Sequence, residues 1–99
     1  MQVTLLYFDG CPNWEATHRR LETLAGELGF DLVSRTVDTP EQAEALTFRG
    51  SPTVLVDGRD PFATGGEPVG LACRVYATDD VLAGAPTEQQ LRDALKTPH

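Results

Sequence analysis

The only sulfur nucleophiles of the 99-residue chain are Cys11 and Cys73, and the first stands in a reactive setting. In Asp9-Gly10-Cys11-Pro12-Asn13-Trp14 an apolar run ends and a cysteine follows at the mouth of a helix that proline would open. A helix N-terminus carries about half a positive charge and unbonded N–H donors, and both favour a thiolate over a thiol. The expectation is a lowered thiol pKa and a nucleophile at neutral pH. The alternative is a buried, inert cysteine that happens to precede a helix. Asp9 is a candidate proton relay or a cap for the helix start. Its charge would raise the thiol pKa and partly oppose the helix.

A second constellation is Phe48-Arg49-Gly50-Ser51-Pro52-Thr53-Val54-Leu55-Val56. Proline removes a ladder donor, so directly before an apolar strand it belongs at the strand's first position or in a special backbone geometry. X-Pro bonds are cis in only about 5–6% of cases in folded proteins, so the residues alone favour trans. For Cys73, in Leu71-Ala72-Cys73-Arg74-Val75-Tyr76, two readings stand. Strand alternation puts Leu71, Cys73 and Val75 on one core face, where a cysteine fits as a small apolar residue. A resolving thiol or second soft-metal ligand would need the Cα atoms of Cys11 and Cys73 within about 7 Å. Their places on different strands predict a wider gap. His18 lies about two helical turns, or roughly 10 Å, beyond Cys11 and is expected to pack at the edge of an apolar stripe. His99 is the last residue and carries no expected role.

The elements that must position these groups are legible from periodicity and punctuation. Residues 2–9 read as a buried strand. A helix over 12–28 follows, with Trp14, Leu21, Leu24, Ala25 and Leu28 forming its apolar stripe and Gly29 its C-terminal stop. Residues 31–38 suit an edge strand. Thr39-Pro40-Glu41-Gln42 opens a short helix over 40–47 as a capping box. Strands are expected at 53–57 and 71–77, separated by the Gly/Pro-rich segment 57–70. Asp57-Gly58 and Gly65-Gly66 supply turn chemistry there, and Phe62 is expected to cover apolar surface within the chain or across a dimer. Thr87 through Gln90 opens the last helix. The order β-α-β-α-β-β-α predicts an α/β fold: one domain over 1–99, with a mixed four-stranded sheet between helices on both faces.

Taken together, the Cys-Pro helix start and the later Arg-Gly-Ser-Pro-Thr, apolar strand and Asp-Gly resemble the thioredoxin-like superfamily. The resemblance spans nearly the whole chain in element order and two short motifs in detail. It implies a three-layer thioredoxin-like fold and a cis-proline loop at Ser51-Pro52 facing Cys11. It also implies a Ser51 backbone that pairs with an extended peptide or glutathione-like substrate. Cys11 would be the catalytic nucleophile, Ser51-Pro52-Thr53 the substrate-facing wall, and Pro12 and Trp14 further substrate-binding residues. Trp14 departs from the superfamily's Cys-x-x-Cys, so a one-turn disulfide is excluded. Monothiol chemistry remains: Cys11 attacks a disulfide, peroxide or electrophile, and an external thiol or Cys73 resolves the adduct.

Composition narrows the field. Eight basic against 15 acidic residues give a net charge of −7, which argues against nucleic-acid and anionic-membrane partners. No apolar run reaches the ~20 residues of a membrane span, and no basic n-region opens the chain as in a secretory signal. Two cysteines are too few for a disulfide framework or a structural zinc site, so a cytoplasmic setting with free thiols, no metal and no cofactor is expected. Expected partners are a low-molecular-weight thiol or a protein thiol or disulfide, and a homodimer is allowed. Two other functions stay open. One is a redox-silent interaction module of the same fold; the other is soft-metal or organomercurial handling by Cys11 and Cys73.

Overall fold

The computed structural model describes residues 1–63, 65, 67–78 and 81–96. The first half follows the expected order. β1 (Gln2–Tyr7) is followed by α1 (Trp14–Leu28), β2 (Asp31–Thr36), α2 (Pro40–Leu46) and β3 (Thr53–Val56). The second half holds two short strands, β4 (Tyr76–Ala77) and β5 (Leu82–Ala83), and then α3 (Glu88–Lys96). The fold is mixed α/β.

β1 is the middle strand of a three-stranded sheet in the order β2-β1-β3. It runs parallel to β2, with Gln2 opposite Asp31 and Tyr7 opposite Thr36. It runs antiparallel to β3, with Val3 opposite Val56 and Leu6 opposite Thr53. The pleat sends Val3 and Leu5 of β1 to one face, where they meet Leu21 and Leu24 of α1, Val54 and Val56 of β3, and Leu91 and Leu95 of α3. Leu6 points to the other face and packs with Val37, Ala43 and Phe48. Helices therefore cover both faces, because one strand's alternate side chains supply both cores.

The local signals act as expected at several boundaries. Gly29 closes α1 in the left-handed region at φ 76°, its N–H donating to the Ala25 carbonyl. The Gln42 N–H donates to Thr39 Oγ1, while the Gln42 side chain reaches back to the Asp38 N–H, one residue before the usual capping-box partner. At α3 the box is reciprocal: the Gln90 N–H donates to Thr87 Oγ1, and the Thr87 N–H donates to Gln90 Oε1.

Residues 71–77 depart from expectation. They do not add a fourth strand to the sheet. After β3 the chain turns at Asp57 and Gly58, both at positive φ, and returns for a single bridge between Val56 and Arg59. Asp60 and Pro61 then leave the edge. Further on, Cys73 forms an isolated parallel bridge with Ser51, and Tyr76–Ala77 pairs with Leu82–Ala83 in a separate two-stranded ribbon. The burial phase is also the reverse of that expected. Leu71, Cys73 and Val75 are exposed, while Arg74 and Tyr76 are buried. Inside, Arg74 meets the Asp60 carboxylate and Tyr76 the Pro52 carbonyl.

Among the described residues, no helix is long and apolar enough to cross a membrane.

Candidate functional site

Cys11 is set by the turn that leaves β1. Its N–H donates to the Phe8 carbonyl at 3.3 Å, and the Glu15 N–H donates to the Pro12 carbonyl at 3.2 Å. The helix proper starts only at Trp14, with Asn13 as the cap residue. Pro12 therefore lies in the preceding turn, and Cys11 stands two residues ahead of the cap. Asn13 supplies no side-chain hydrogen bond to the helix, so the helix mouth beside Cys11 lacks the usual cap.

Cys11 is 0% exposed and is bonded to Cys73 across 62 residues of sequence, with a Cα–Cα separation of 5.7 Å. This overturns three expectations. The cysteines are not free, their separation is inside the disulfide range, and Cys73 is no core residue. The wider gap was expected from a strand at 71–77, and that strand does not form.

The segment carrying Cys73 is strapped across the Ser51-Pro52 bend. On either side of Cys73, the Ser51 N–H donates to the Ala72 carbonyl at 2.8 Å and the Arg74 N–H donates to the Ser51 carbonyl at 3.0 Å. The backbone surface expected to receive a substrate peptide is thus filled by this chain's own residues. The Ser51-Pro52 peptide bond is cis, as the resemblance implies and against what the residues alone favour. Gly50 makes the close approach feasible. It sits at φ +105°, and a Cβ there would come 3.0 Å from Arg74 Cβ and 3.1 Å from the Ala72 carbonyl oxygen.

A buried polar cluster fastens the strap. Arg74 Nη1 reaches Asp60 Oδ2 at 2.6 Å and Nη2 reaches Oδ1 at 3.4 Å. The two side chains are only 4% and 2% exposed. Arg49 reaches the same carboxylate at 3.4 Å, and Asp60 Oδ1 also accepts from the Phe62 N–H. Arg74 Nη1 donates to Thr53 Oγ1 at 3.4 Å, and its guanidinium lies 4.7 Å from the centre of the Tyr76 ring. The Tyr76 hydroxyl donates to the Pro52 carbonyl, and Phe62 meets the Tyr76 ring edge-on with 5.4 Å between centroids. Phe62 thus covers apolar surface within the chain. Charge-assisted bonds at this burial are strong because few waters compete.

The remaining expected residues are scattered. Ser51, Pro52 and Thr53 are all buried beneath the strap. Ser51 Oγ accepts from the Phe8 N–H, and Thr53 Oγ1 donates to the Gly50 carbonyl at 2.6 Å. They face the strap and not an open substrate surface. Trp14 is half-buried and stacks on Tyr7 with 4.1 Å between centroids, which makes it part of the packing. Pro12 is exposed. Asp9 is exposed. His18 packs edge-on to Trp14 and pairs with Glu22 at 3.2 Å, which matches its expected packing role. Gly66 and His99 lie outside the described residues.

Asp60, Arg74 and Tyr76 escaped sequence reading. The available signal was an isolated arginine and tyrosine alternating in an apolar run, a pattern that also describes an ordinary amphipathic strand. Burial pushes the Tyr76 phenol well above its ordinary range, against the lowering pull of Arg74, with Asp60 and Glu67 adding to the rise. The folded state therefore holds this proton more tightly than the unfolded chain. Stability from the protonated phenol is complete below the ordinary value near pH 10 and is lost as pH rises toward the folded-state value. Urea denaturation between about pH 8 and pH 11 should show that loss in the native chain. Tyr76→Phe should flatten it while costing about 1 kcal/mol at neutral pH through the missing hydrogen bond.

A groove of about 270 Å³ runs along the strap, bordered by Phe62, Glu67, Arg74, Tyr76 and Gln90. Among the described residues, no group of three or more His, Cys, Asp or Glu side chains is placed to hold a metal ion. Comparison of the chain with protein families, with curated proteins and with solved structures finds no match.

Proposed function

We propose that the chain is a thiol–disulfide redox protein whose working pair is Cys11–Cys73, carried on a thioredoxin-like frame. The single observation behind this reading is the meeting of the two sulfurs beside the Ser51-Pro52 bend, 62 residues apart in sequence. A helix-mouth cysteine without a Cys-x-x-Cys partner is limited to monothiol chemistry, and a second thiol from the strap supplies a complete two-electron couple. The frame is supported by the parallel β1-α1-β2 unit and by β3 running antiparallel to the middle strand. The order β1-α1-β2-α2-β3 with a closing α3 supports the same reading, and the sheet holds three strands in place of the four expected.

Two molecules of a thiol reduce the pair to a dithiol and leave as one disulfide; the reverse reaction reoxidises it. Partners of the proposed chemistry are low-molecular-weight thiols or protein thiols and disulfides. The test is incubation of the oxidised chain in glutathione buffers of graded potential, followed by acid quench, maleimide labelling and mass measurement. Two thiols should become labelled together across one transition. A bond that stays closed up to excess reduced glutathione would make it a structural staple and favour the redox-silent module.

The same meeting of sulfurs also favours the soft-metal reading, because two thiolates suffice for a two-coordinate soft cation. Reduced chain titrated with Cu(I) should then bind one ion per molecule and lose it in Cys73→Ser. Binding unchanged in Cys73→Ser removes this second reading.

A further inference from the structure

Resting on the redox reading above, we infer that Cys73, and not the helix-mouth Cys11, is the sulfur at which a partner thiol reacts, with Cys11 as the leaving group. A thiolate displaces one sulfur of a disulfide by approaching the attacked atom from the side opposite its partner, so access selects the site. Cys11 has no exposed surface, whereas Cys73 is an exposed residue flanked by the exposed Leu71 and Val75. The strap itself is held in place on both sides of Cys73. Ala72 and Arg74, the residues before and after Cys73, are both hydrogen-bonded to Ser51, and Arg74 is ion-paired to Asp60 beneath.

The chemistry of departure favours the same direction. The more stable thiolate is the better leaving group. Cys11 is placed ahead of α1, whose cap residue Asn13 makes no side-chain bond to the helix. Cys11 thus precedes the positive end of α1 by two residues in sequence, the side on which a helix favours a thiolate. No equivalent helix mouth adjoins Cys73 among the described residues.

The steps balance. A thiolate RS⁻ forms an S–S bond to Cys73, the Cys11–Cys73 bond breaks, and Cys11 departs with the electron pair as a thiolate. A second RS⁻ attacks the R sulfur of the mixed disulfide, RSSR leaves, and Cys73 takes up a proton. The two partner thiols together lose two electrons, and the protein pair gains two. In reverse, reduced Cys73 attacks a partner disulfide and Cys11 resolves the adduct. The order of use is thus opposite to the one that the helix-mouth position of Cys11 implies from sequence alone.

The experiment is a short pulse of reduced glutathione on the oxidised chain, quenched in acid, labelled with N-ethylmaleimide and mapped by peptide mass spectrometry. At the earliest times, glutathione on Cys73 with maleimide on Cys11 should exceed the opposite pattern by about tenfold. Equal or reversed labelling overturns the assignment while leaving the redox reading intact. A bond that never opens overturns both. A second measurement uses Cys11→Ser and Cys73→Ser, each shown by circular dichroism to be folded, reacted with oxidised glutathione. The lone Cys73 thiol should react about tenfold faster than the lone Cys11 thiol, and a Cys11 thiol that reacts as fast refutes the assignment.

Discussion

Reduction of the Cys11–Cys73 bond should lower the unfolding free energy by about 4 kcal/mol. The bond closes a loop with a sequence separation of 62 residues, and in the chain-entropy account a cross-link stabilises by shrinking the unfolded ensemble, more so for longer loops. For a 99-residue chain a typical total stability is about 5–15 kcal/mol, so the loss is a large share of the whole. Urea denaturation of the oxidised chain against the same chain in dithiothreitol checks it. A difference below about 1 kcal/mol would mean that the reduced, unfolded chain keeps the two ends together, or that enthalpic terms cancel the loop term. Under the redox reading, the same difference couples function to folding, because the reduced state would be the less stable one.

Asp60→Asn should cost about 3–5 kcal/mol, the usual penalty for removing one partner of a buried pair. The aspartate serves two arginines and a backbone N–H, and without its charge the guanidinium of Arg74 is left buried at 4% exposure. Arg74→Met should cost less than Asp60→Asn, because Asp60 keeps Arg49 as a counter-ion and the methionine stem replaces the lost apolar contact. The asymmetry separates an electrostatic lock from simple packing. Equal costs for the two variants, measured by denaturant titration of oxidised protein, would show that packing around Tyr76 and Phe62 carries the strap. The variants also bear on the site, since Asp60 anchors the side chain of a residue whose N–H bonds Ser51.

Local structure was readable in advance where the cause is local. Thr39, Gln42, Thr87 and Gln90 cap helices within one turn of themselves, and Gly29 ends α1 because its own φ is positive. The alternation of Val3, Leu5 and Leu6 in β1 specifies two opposite cores, and from that follow the central position of this strand and the helices on both faces. The helix-mouth cysteine and the bend at Ser51-Pro52 were visible as candidate chemistry for the same reason, since each is a short run of residues with an intrinsic backbone preference.

What the sequence could not express was which distant groups meet. Hydrophobicity alone gives residues 71–77 a phase that turns Cys73 inward. In the folded chain Arg74 turns inward to a carboxylate 14 residues away in sequence, and Leu71 and Val75 face outward. That inversion placed Cys73 on the solvent side, gave Cys11 a bonded partner and closed the Ser51 surface. Short-range pattern carries the energy of capping, turning and alternation; the partner of a sulfur or a charge depends on the whole path of the intervening chain, and only the folded molecule resolves it.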